Sequence, residues 1–208
     1  MKQLYMAPIN LKSQLLSMIE REIQRSTPET PGLIMAKMNS LGHKEIIDAL
    51  YRANAAGVQI LLNIRGICLL VPGVPGLSDN ISVVSIIDRY LEHSRIFYFQ
   101  NGGAEEIYLS SADWMPRNLL RRIELLTPIQ GEEIADKLIQ ILQLQSSDTV
   151  LAHELQNDGS YVKIKPEGNN LIDSHKIAEM QTNKMYNSVK KQSPNYVHQL
   201  TTRLFKES

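Results

Sequence analysis

The stretch from residue 33 to residue 64 constrains the fold more than any other part of this sequence. LIMAKM at 33–38 and VQILLNI at 58–64 are short apolar runs that are typical of buried strands. A segment with apolar residues at helical spacing separates them, and Gly57 stands where such a helix would end. A strand, a helix and a strand with short connections form a βαβ unit, so the two strands are predicted to be parallel. The apolar positions of the intervening helix are Ile46, Ile47, Leu50 and Tyr51.

Strand and helix patterns on both sides of this unit extend it into one α/β domain with a mixed β-sheet and flanking helices. We divide it into a main part at 1–145 and an extension at 146–208, which holds a β-hairpin and a weakly periodic, partly helical tail. Residues 86–92 are predicted to form a short helix or turn, and 112–122 an irregular basic connection. Further strands are predicted at 81–85, 95–99, 107–111 and 122–129. Helices are predicted to begin at Leu11 and at Glu132. The residues of the second helix that are predicted to point inward are Ile134, Leu138, Ile141 and Leu142.

The charge balance and composition exclude several classes of function. The 208 residues include 22 basic and 22 acidic side chains, so net charge does not favour nucleic acid or an anionic membrane as a partner. The single cysteine, Cys68, excludes an internal disulfide and suits a reducing compartment. No run approaches the ~20 apolar residues of a transmembrane helix, and the first ten residues do not resemble a signal peptide. No cluster of His, Cys or Asp residues has the spacing of metal ligands. We therefore expect a cytoplasmic globular protein without metal ligands of its own.

Polar residues stand where several predicted strands begin or end. Lys37 lies near the end of the first strand of the βαβ unit, and Arg65 directly follows the second. His93 and Arg95 come at the start of RIFYF, two positions apart and therefore on one face of an extended chain, and Ser110 ends the next strand. Arginine binds phosphate oxygens through parallel N–H groups, and histidine exchanges a proton near neutral pH or attacks phosphorus. The pattern favours a phosphate or polyphosphate site at one edge of the sheet.

Each of these residues also has a structural interpretation that the sequence leaves open. Arg65 can bond to loop carbonyls at the end of its strand, and His93 can be an ordinary half-buried histidine. Arg95 can pair with Glu92 or with the acidic pair at 105–106 across the hairpin. Three further expectations are that Trp114 is a buried anchor, that Cys68 is a core residue, and that His43, His153, His175 and His198 are solvated.

Four motifs resemble, in order and spacing, the C-terminal domain of polyphosphate kinases of the phosphohistidine type. The motifs are LIMAKMNSL, LLNIRGICLLVPGVPGLSDNI, YLEHSRIFYFQNGG and YLSSADWMPRNL, and the resemblance runs from about residue 4 to residue 129. It implies the second of two C-terminal domains that are similar in fold to phospholipase D, so the chain is expected to form a phospholipase D-like half. The sequence departs from the family pattern at Leu69, at Leu120 and at His43–Lys44, and none of these positions carries the phosphate-binding motif residues.

The resemblance also implies a function. The family transfers the terminal phosphate of ATP reversibly to polyphosphate and uses magnesium. The arginine of its RGIC motif and the histidine of its EHSR motif, here Arg65 and His93, contact the nucleotide phosphates, which makes His93 the expected catalytic residue. Arg95 and Ser110 match the half-site pattern of the phospholipase D superfamily, with arginine where lysine is usual, and are expected as further phosphate contacts.

The resemblance places the phosphohistidine and the magnesium ligands in the first C-terminal domain, and no similar segment occurs in this sequence. The expected partners are therefore the N-terminal, head and first C-terminal domains of such an enzyme, and the isolated chain is expected to be inactive. The full-length form is expected to be a cytoplasmic homo-oligomer, with membrane association left open. Two alternatives are a phospholipase D-superfamily phosphodiesterase completed by homodimerisation and a non-catalytic polyphosphate- or nucleotide-binding module. Neutral charge and the specific loop motifs argue against the phosphodiesterase.

Overall fold

A single nine-stranded mixed β-sheet organises the protein in the computed structural model, which describes residues 4–166, 168 and 170–192. The order of strands across the sheet is β1-β7-β6-β5-β2-β3-β4-β8-β9. The strands are β1 Tyr5–Ala7, β2 Leu33–Met38, β3 Gln59–Ile64, β4 Ile81–Ile86, β5 Ile96–Phe99, β6 Glu106–Ser110, β7 Glu124–Pro128, β8 Ala152–Leu155 and β9 Tyr161–Lys163. The helices are α1 Leu11–Arg25, α2 Lys44–Ala55, α3 Pro116–Arg121, α4 Glu132–Ser146 and α5 Ser174–Gln192.

The centre of the sheet is parallel and its flanks are antiparallel. Strand β2 pairs with β3, and β3 with β4, in parallel, which confirms the prediction of a βαβ unit. Strand β5 runs antiparallel to β2, with Ile96 opposite Lys37. The start of β5 therefore lies at the edge of the sheet where β2 and β3 end, and the loops beyond these strands face one another.

Alternation along β2 separates the two faces of the sheet. Ile34 and Met38 belong to the main core with helices α1 and α2, whereas Met35 points to the opposite face and packs with Leu142 of α4. Helix α1 buries Leu11 and Leu15 as its apolar spacing predicts. The sheet is consequently covered by helices on both faces, as expected for parallel central strands.

Three segments differ from the sequence-based predictions. Residues 87–95 form an irregular loop with bends and no helical turn, and α3 replaces part of the predicted irregular connection because Pro116 suits the first helical position. Helix α4 exposes Ile134 and Ile141, at 55% and 39%, so the prediction that they point inward is wrong. The helix packs on the sheet through a stripe of similar width that is rotated about its axis and consists of Ala135, Leu138, Ile139 and Leu142.

The C-terminal part continues the same sheet. Strand β8 pairs antiparallel with β4 and with β9, so the predicted hairpin is confirmed and extends the edge next to β4. Asp148, 1% exposed, accepts backbone hydrogen bonds from Val150, Leu151 and Ser174 and so ties the hairpin to the start of α5. Burial acts to raise the pKa of this carboxyl, but the hydrogen bonds from Ser174 and the backbone hold it below its ordinary value.

The predicted C-terminal fraying falls on residues 193–208, outside the described residues. Among the described helices, none combines the length and apolar character that crossing a membrane requires.

Candidate functional site

Arg65 and His93, 28 positions apart in the chain, meet beyond the carboxyl ends of the parallel strands. Arg65 directly follows β3, and His93 lies in the loop between β4 and β5. A guanidinium nitrogen of Arg65, Nη2, lies 3.5 Å from Nδ1 of the His93 ring. The two residues approach because β5 and β3 flank β2, so that the entry to β5 and the exit from β3 share one edge of the sheet.

The Arg65 side chain is only partly solvated and lacks a carboxylate partner among the described residues. Its Nη1 atom is buried without a hydrogen-bond partner, and no ion pair in the described part of the chain includes it. Its backbone carbonyl, not its guanidinium, accepts a 3.4 Å hydrogen bond from the Ser85 hydroxyl. The alternative in which the guanidinium bonds loop carbonyls therefore has no support in the described hydrogen bonds. A half-buried cation beside an exposed imidazole is an arrangement suited to an anion.

Arg95 lies at the same edge of the sheet but is held by a carboxylate. Its Nε lies 2.9 Å from Oδ1 of Asp113 and its Nη2 3.3 Å from Oδ2, a bidentate ion pair. The expected pairing of Arg95 with Glu92 or with the carboxylates at 105–106 is therefore wrong. The third guanidinium nitrogen, Nη1, donates to the backbone carbonyl of His93 at 3.1 Å. Arg95 thus holds the backbone that carries His93, while its own charge is largely neutralised by Asp113.

Ser110 lies opposite Arg95 where β6 begins to leave the sheet. Its backbone N–H donates to the Arg95 carbonyl at 3.1 Å. Its hydroxyl donates to the Leu125 carbonyl at 2.8 Å and accepts the Ala112 N–H at 3.0 Å. The hydroxyl proton is already used within the fold, so a phosphate contact would require it to change partners.

A cluster of polar side chains lies beneath the loop that carries His93. The Glu92 carboxylate lies 3.0 Å from the Lys37 ammonium, accepts a 2.6 Å hydrogen bond from Gln145 of α4 and lies 3.3 Å from Nε2 of His175. Gln145 in turn accepts a 3.1 Å hydrogen bond from Asn63. Lys37 is therefore bound inside the fold and is not a free phosphate ligand. No local pattern in the sequence predicted this cluster, although Glu92 directly precedes His93.

The other candidates divide into buried and exposed residues. Trp114 is fully buried and packs against Phe97 with ring centroids 4.9 Å apart, which confirms a buried anchor. Burial raises the pKa of the Cys68 thiol to about 11, so this cysteine is a thiol rather than a nucleophilic thiolate. The prediction of solvated histidines is wrong for His43 and His175, which are 4% and 5% exposed, and His198 lies outside the described residues.

Within residues 4–166, 168 and 170–192, no group of three His, Cys, Asp or Glu side chains could hold a metal ion. The Arg65 guanidinium beside the His93 ring repels cations, and the carboxylates of Glu92 and Asp113 are already paired with Lys37 and Arg95. The residues at this edge do not fit a magnesium site, and the chemistry they can perform is the binding of an anion.

Comparison with known proteins gives consistent matches. Residues 4–175 match the family model described as polyphosphate kinase C-terminal domain 2. A polyphosphate kinase from Rhodopirellula baltica is 52% identical over 169 residues, which cover 81% of this chain and 20% of that protein. A polyphosphate kinase from Campylobacter jejuni is 47% identical over 209 residues, which cover 100% of this chain and 29% of that protein. The chain thus spans less than a third of the length of these relatives.

Solved structures agree with the sequence matches. The crystal structure of polyphosphate kinase from Porphyromonas gingivalis superimposes with a TM-score of 0.85 at 37% identity, over 90% of this chain and 29% of that chain. A phospholipase D family member, Nuc from Salmonella typhimurium, superimposes with a TM-score of 0.51 at 14% identity, over 68% of this chain and 90% of that chain. The second similarity concerns the fold and confirms a phospholipase D-like half.

Proposed function

Because the chain belongs to the polyphosphate kinase C-terminal domain 2 family, we propose that it forms the nucleotide- and polyphosphate-binding half-site of a polyphosphate kinase. The reaction is the reversible transfer of the terminal phosphate of ATP to polyphosphate. The proposal depends on one observation above all, the 3.5 Å approach of the Arg65 guanidinium to the His93 ring at the edge of the sheet.

Arg65 binds the phosphate oxygens in this proposal. Its guanidinium stays charged at neutral pH and offers a planar fork of donors that matches phosphate oxygens. The buried, unpartnered Nη1 means that part of the fork is already desolvated before a ligand arrives. An incoming phosphate would satisfy that donor, so Arg65 is the main determinant of affinity for the nucleotide.

His93 is the catalytic residue and also contacts phosphate. The side chain is exposed, whereas its backbone carbonyl is held by Arg95. Phosphoryl transfer depends mainly on positioning and on neutralising the charge of the transferring group. An imidazole beside a guanidinium can donate to a phosphoryl oxygen and exchange a proton with it.

Arg95 and Ser110 contact phosphate less directly in this proposal than the sequence motif implies. Arg95 positions His93 through its carbonyl and contributes little free charge because Asp113 binds it. Ser110 fixes the end of β6 and can contact phosphate only by exchanging a hydrogen bond. Magnesium would assist by neutralising phosphate charge, and its ligands are expected outside this chain, in the remaining domains of the full enzyme.

The partners in this proposal are the remaining domains of a polyphosphate kinase, which supply the phosphohistidine. The matched relatives are more than three times longer than the region they share with this chain, which supports such partners. We further propose that the whole enzyme is a cytoplasmic homo-oligomer with ATP, ADP and polyphosphate as substrates.

The test is transfer of 32P from labelled ATP into polyphosphate. The 208-residue chain is assayed alone, together with a separately produced portion of a relative that carries the N-terminal, head and first C-terminal domains, and with that portion alone. We expect transfer only in the combined sample. Hydrolysis of bis(p-nitrophenyl) phosphate by the chain alone would instead support the phosphodiesterase alternative. Nucleotide binding without transfer in any combination would support a binding module.

A further inference from the structure

A cleft that shares Arg65 with the site described above extends towards the C-terminal hairpin. It has a volume of about 270 Å³ and is lined by Arg65, Gly66, Ser85, Ile87, His153 and Tyr161. His93 is not among the lining residues, so the cleft is distinct from the contact between Arg65 and His93. His153 and Tyr161 come from the C-terminal hairpin, far along the chain from the motifs that mark the phosphate site.

The register of the sheet places three polar side chains in a row that starts at this cleft. Ser85 of β4 lies opposite His153 of β8, and His153 lies opposite Lys163 of β9. Residues directly opposite in antiparallel pairs project from the same face, with Cβ atoms about 4.5–5.5 Å apart. Ser85, His153 and Lys163 therefore form a continuous line across three strands, leading away from Arg65.

The row carries unneutralised positive charge. Lys163 is exposed and takes part in no ion pair among the described residues. The alternating residues that share this face of β8 and β9 are His153, Leu155, Tyr161 and Lys163, and none is acidic. Nδ1 of His153 lies 3.1 Å from the Leu151 carbonyl, which orients the ring and leaves Nε2 for another partner.

The size of the cleft restricts the ligand. Sites for drug-sized molecules have volumes of about 300–1,000 Å³, so this cleft is small for a nucleoside but large enough for phosphoryl groups. Burial raises the pKa of the Tyr161 phenol, so at neutral pH this residue is an uncharged hydroxyl that does not repel an anion.

We propose that the cleft and the side chains of Arg65, His153 and Lys163 bind successive phosphoryl groups of a linear polyphosphate, whereas the Ser85 hydroxyl, which donates to the Arg65 carbonyl, only lines the cleft. Arg65 then binds two parts of the polyphosphate. One is a phosphoryl group that His93 also contacts, and the other consists of the next phosphoryl groups, which lie in the cleft. This inference rests on the proposed function, because it assumes that Arg65 binds phosphate. It adds the C-terminal hairpin to the site as the element that distinguishes a chain of phosphates from a single one.

The experiment compares two probes, inorganic tripolyphosphate and inorganic orthophosphate, by calorimetric titration of the 208-residue chain. Lys163→Ala and His153→Gln are each expected to weaken tripolyphosphate binding about tenfold, as loss of one charge-assisted contact does, and to leave orthophosphate binding unchanged. Lys184→Ala, which removes an exposed lysine of α5, is the matched control for charge. Thermal unfolding of each variant confirms that it is folded.

Each outcome bears on the proposal. Selective loss of tripolyphosphate affinity in both hairpin variants, but not in Lys184→Ala, supports it. No tripolyphosphate binding, equal losses for the two probes, or losses no larger than that of Lys184→Ala overturn it. Binding of an ATP analogue, lost in Arg65→Ala, is measured in parallel. If that binding depends on Arg65 while the hairpin variants bind tripolyphosphate normally, only the polyphosphate row fails and the proposed function stands.

Discussion

Lys37 and Glu92 form an ion pair beneath the loop that carries His93, with the lysine Nζ 3.0 Å from a Glu92 carboxylate oxygen. The lysine side chain is only 5% exposed and the glutamate side chain 29%. An ammonium group so far from water requires a partner, because a buried unpaired charge is strongly unfavourable. The pair therefore fixes the residue immediately before His93 to the end of β2 and contributes to the shape of the site.

Removal of the Glu92 carboxylate should destabilise the protein. Glu92→Ala leaves the Lys37 ammonium buried without its counter-charge, and we expect the free energy of unfolding to fall by about 3 kcal/mol. Urea denaturation followed by circular dichroism measures the change. Glu133→Ala, which breaks an exposed ion pair with Lys137 on α4, serves as control and should lower the free energy of unfolding far less. A loss in Glu92→Ala as small as in the control would contradict a structural role for the pair.

Arg65 should dominate the affinity for nucleotide. Arg65→Ala removes the partly desolvated guanidinium and is expected to weaken ATP binding by about 2–4 kcal/mol, the cost of a lost charge-assisted contact. Titration calorimetry with the folded variant gives the dissociation constant directly. Arg117→Ala removes an exposed arginine of α3 and should leave the affinity nearly unchanged. Unaltered ATP affinity in Arg65→Ala would remove this residue from the site.

His93 should affect turnover without affecting the fold. The side chain is exposed, so His93→Ala is expected to keep the thermal unfolding midpoint within about 2 °C of the original protein. In a reconstituted or full-length enzyme that contains this domain, the same change should abolish polyphosphate synthesis. The assay is incorporation of 32P from ATP. Normal turnover in the variant would show that the ring takes no part in transfer.

The contributions of Arg95 and Asp113 to the free energy of unfolding should be coupled, because the two side chains form one bidentate ion pair. Asp113, 9% exposed, accepts both the Arg95 fork and the backbone N–H of Asn39 at 2.8 Å. A double-mutant cycle with Arg95→Ala and Asp113→Ala should give a coupling energy of about 1–3 kcal/mol. Coupling near zero would mean that the bidentate geometry does not persist in solution. In that case Arg95 would be free to bind phosphate directly.

The meeting of Arg65 and His93 could be anticipated from sequence, because Arg65 directly follows a strand of the βαβ unit and the family resemblance assigns both residues to the nucleotide phosphates. The partner of Arg95 could not, since Asp113 lies beyond a hairpin and reaches the site only through the register of β5, β6 and the turn after them. Spacing along the chain favoured Glu92 and the carboxylates at 105–106 as partners of Arg95, because they are nearer in sequence. The exposed residues of α4 were misassigned for a related reason. Apolar residues surround much of this helix, so periodicity alone did not show which of them face the sheet.

Glu22 on α1 should make stability depend on pH in a direction opposite to that of most carboxylates. The side chain is fully buried; burial raises its pKa, and the Asn101 backbone N–H and Arg21 offset this only in part. The folded chain therefore retains the Glu22 proton at pH values where the unfolded chain has lost it. Stability contributed by this group is highest below about 4.5, the ordinary pKa, and decreases as the pH rises towards the raised value in the folded state.

Relative to the original protein, Glu22→Gln should thus gain unfolding free energy between pH 4.5 and 7.5, with a slope of at most about 1.4 kcal/mol per pH unit. Urea unfolding across this range tests the prediction, with Glu20→Gln on the exposed side of α1 as control. A difference that is independent of pH, or that favours Glu22 as the pH rises, would show that its hydrogen bond to Asn101 outweighs its burial.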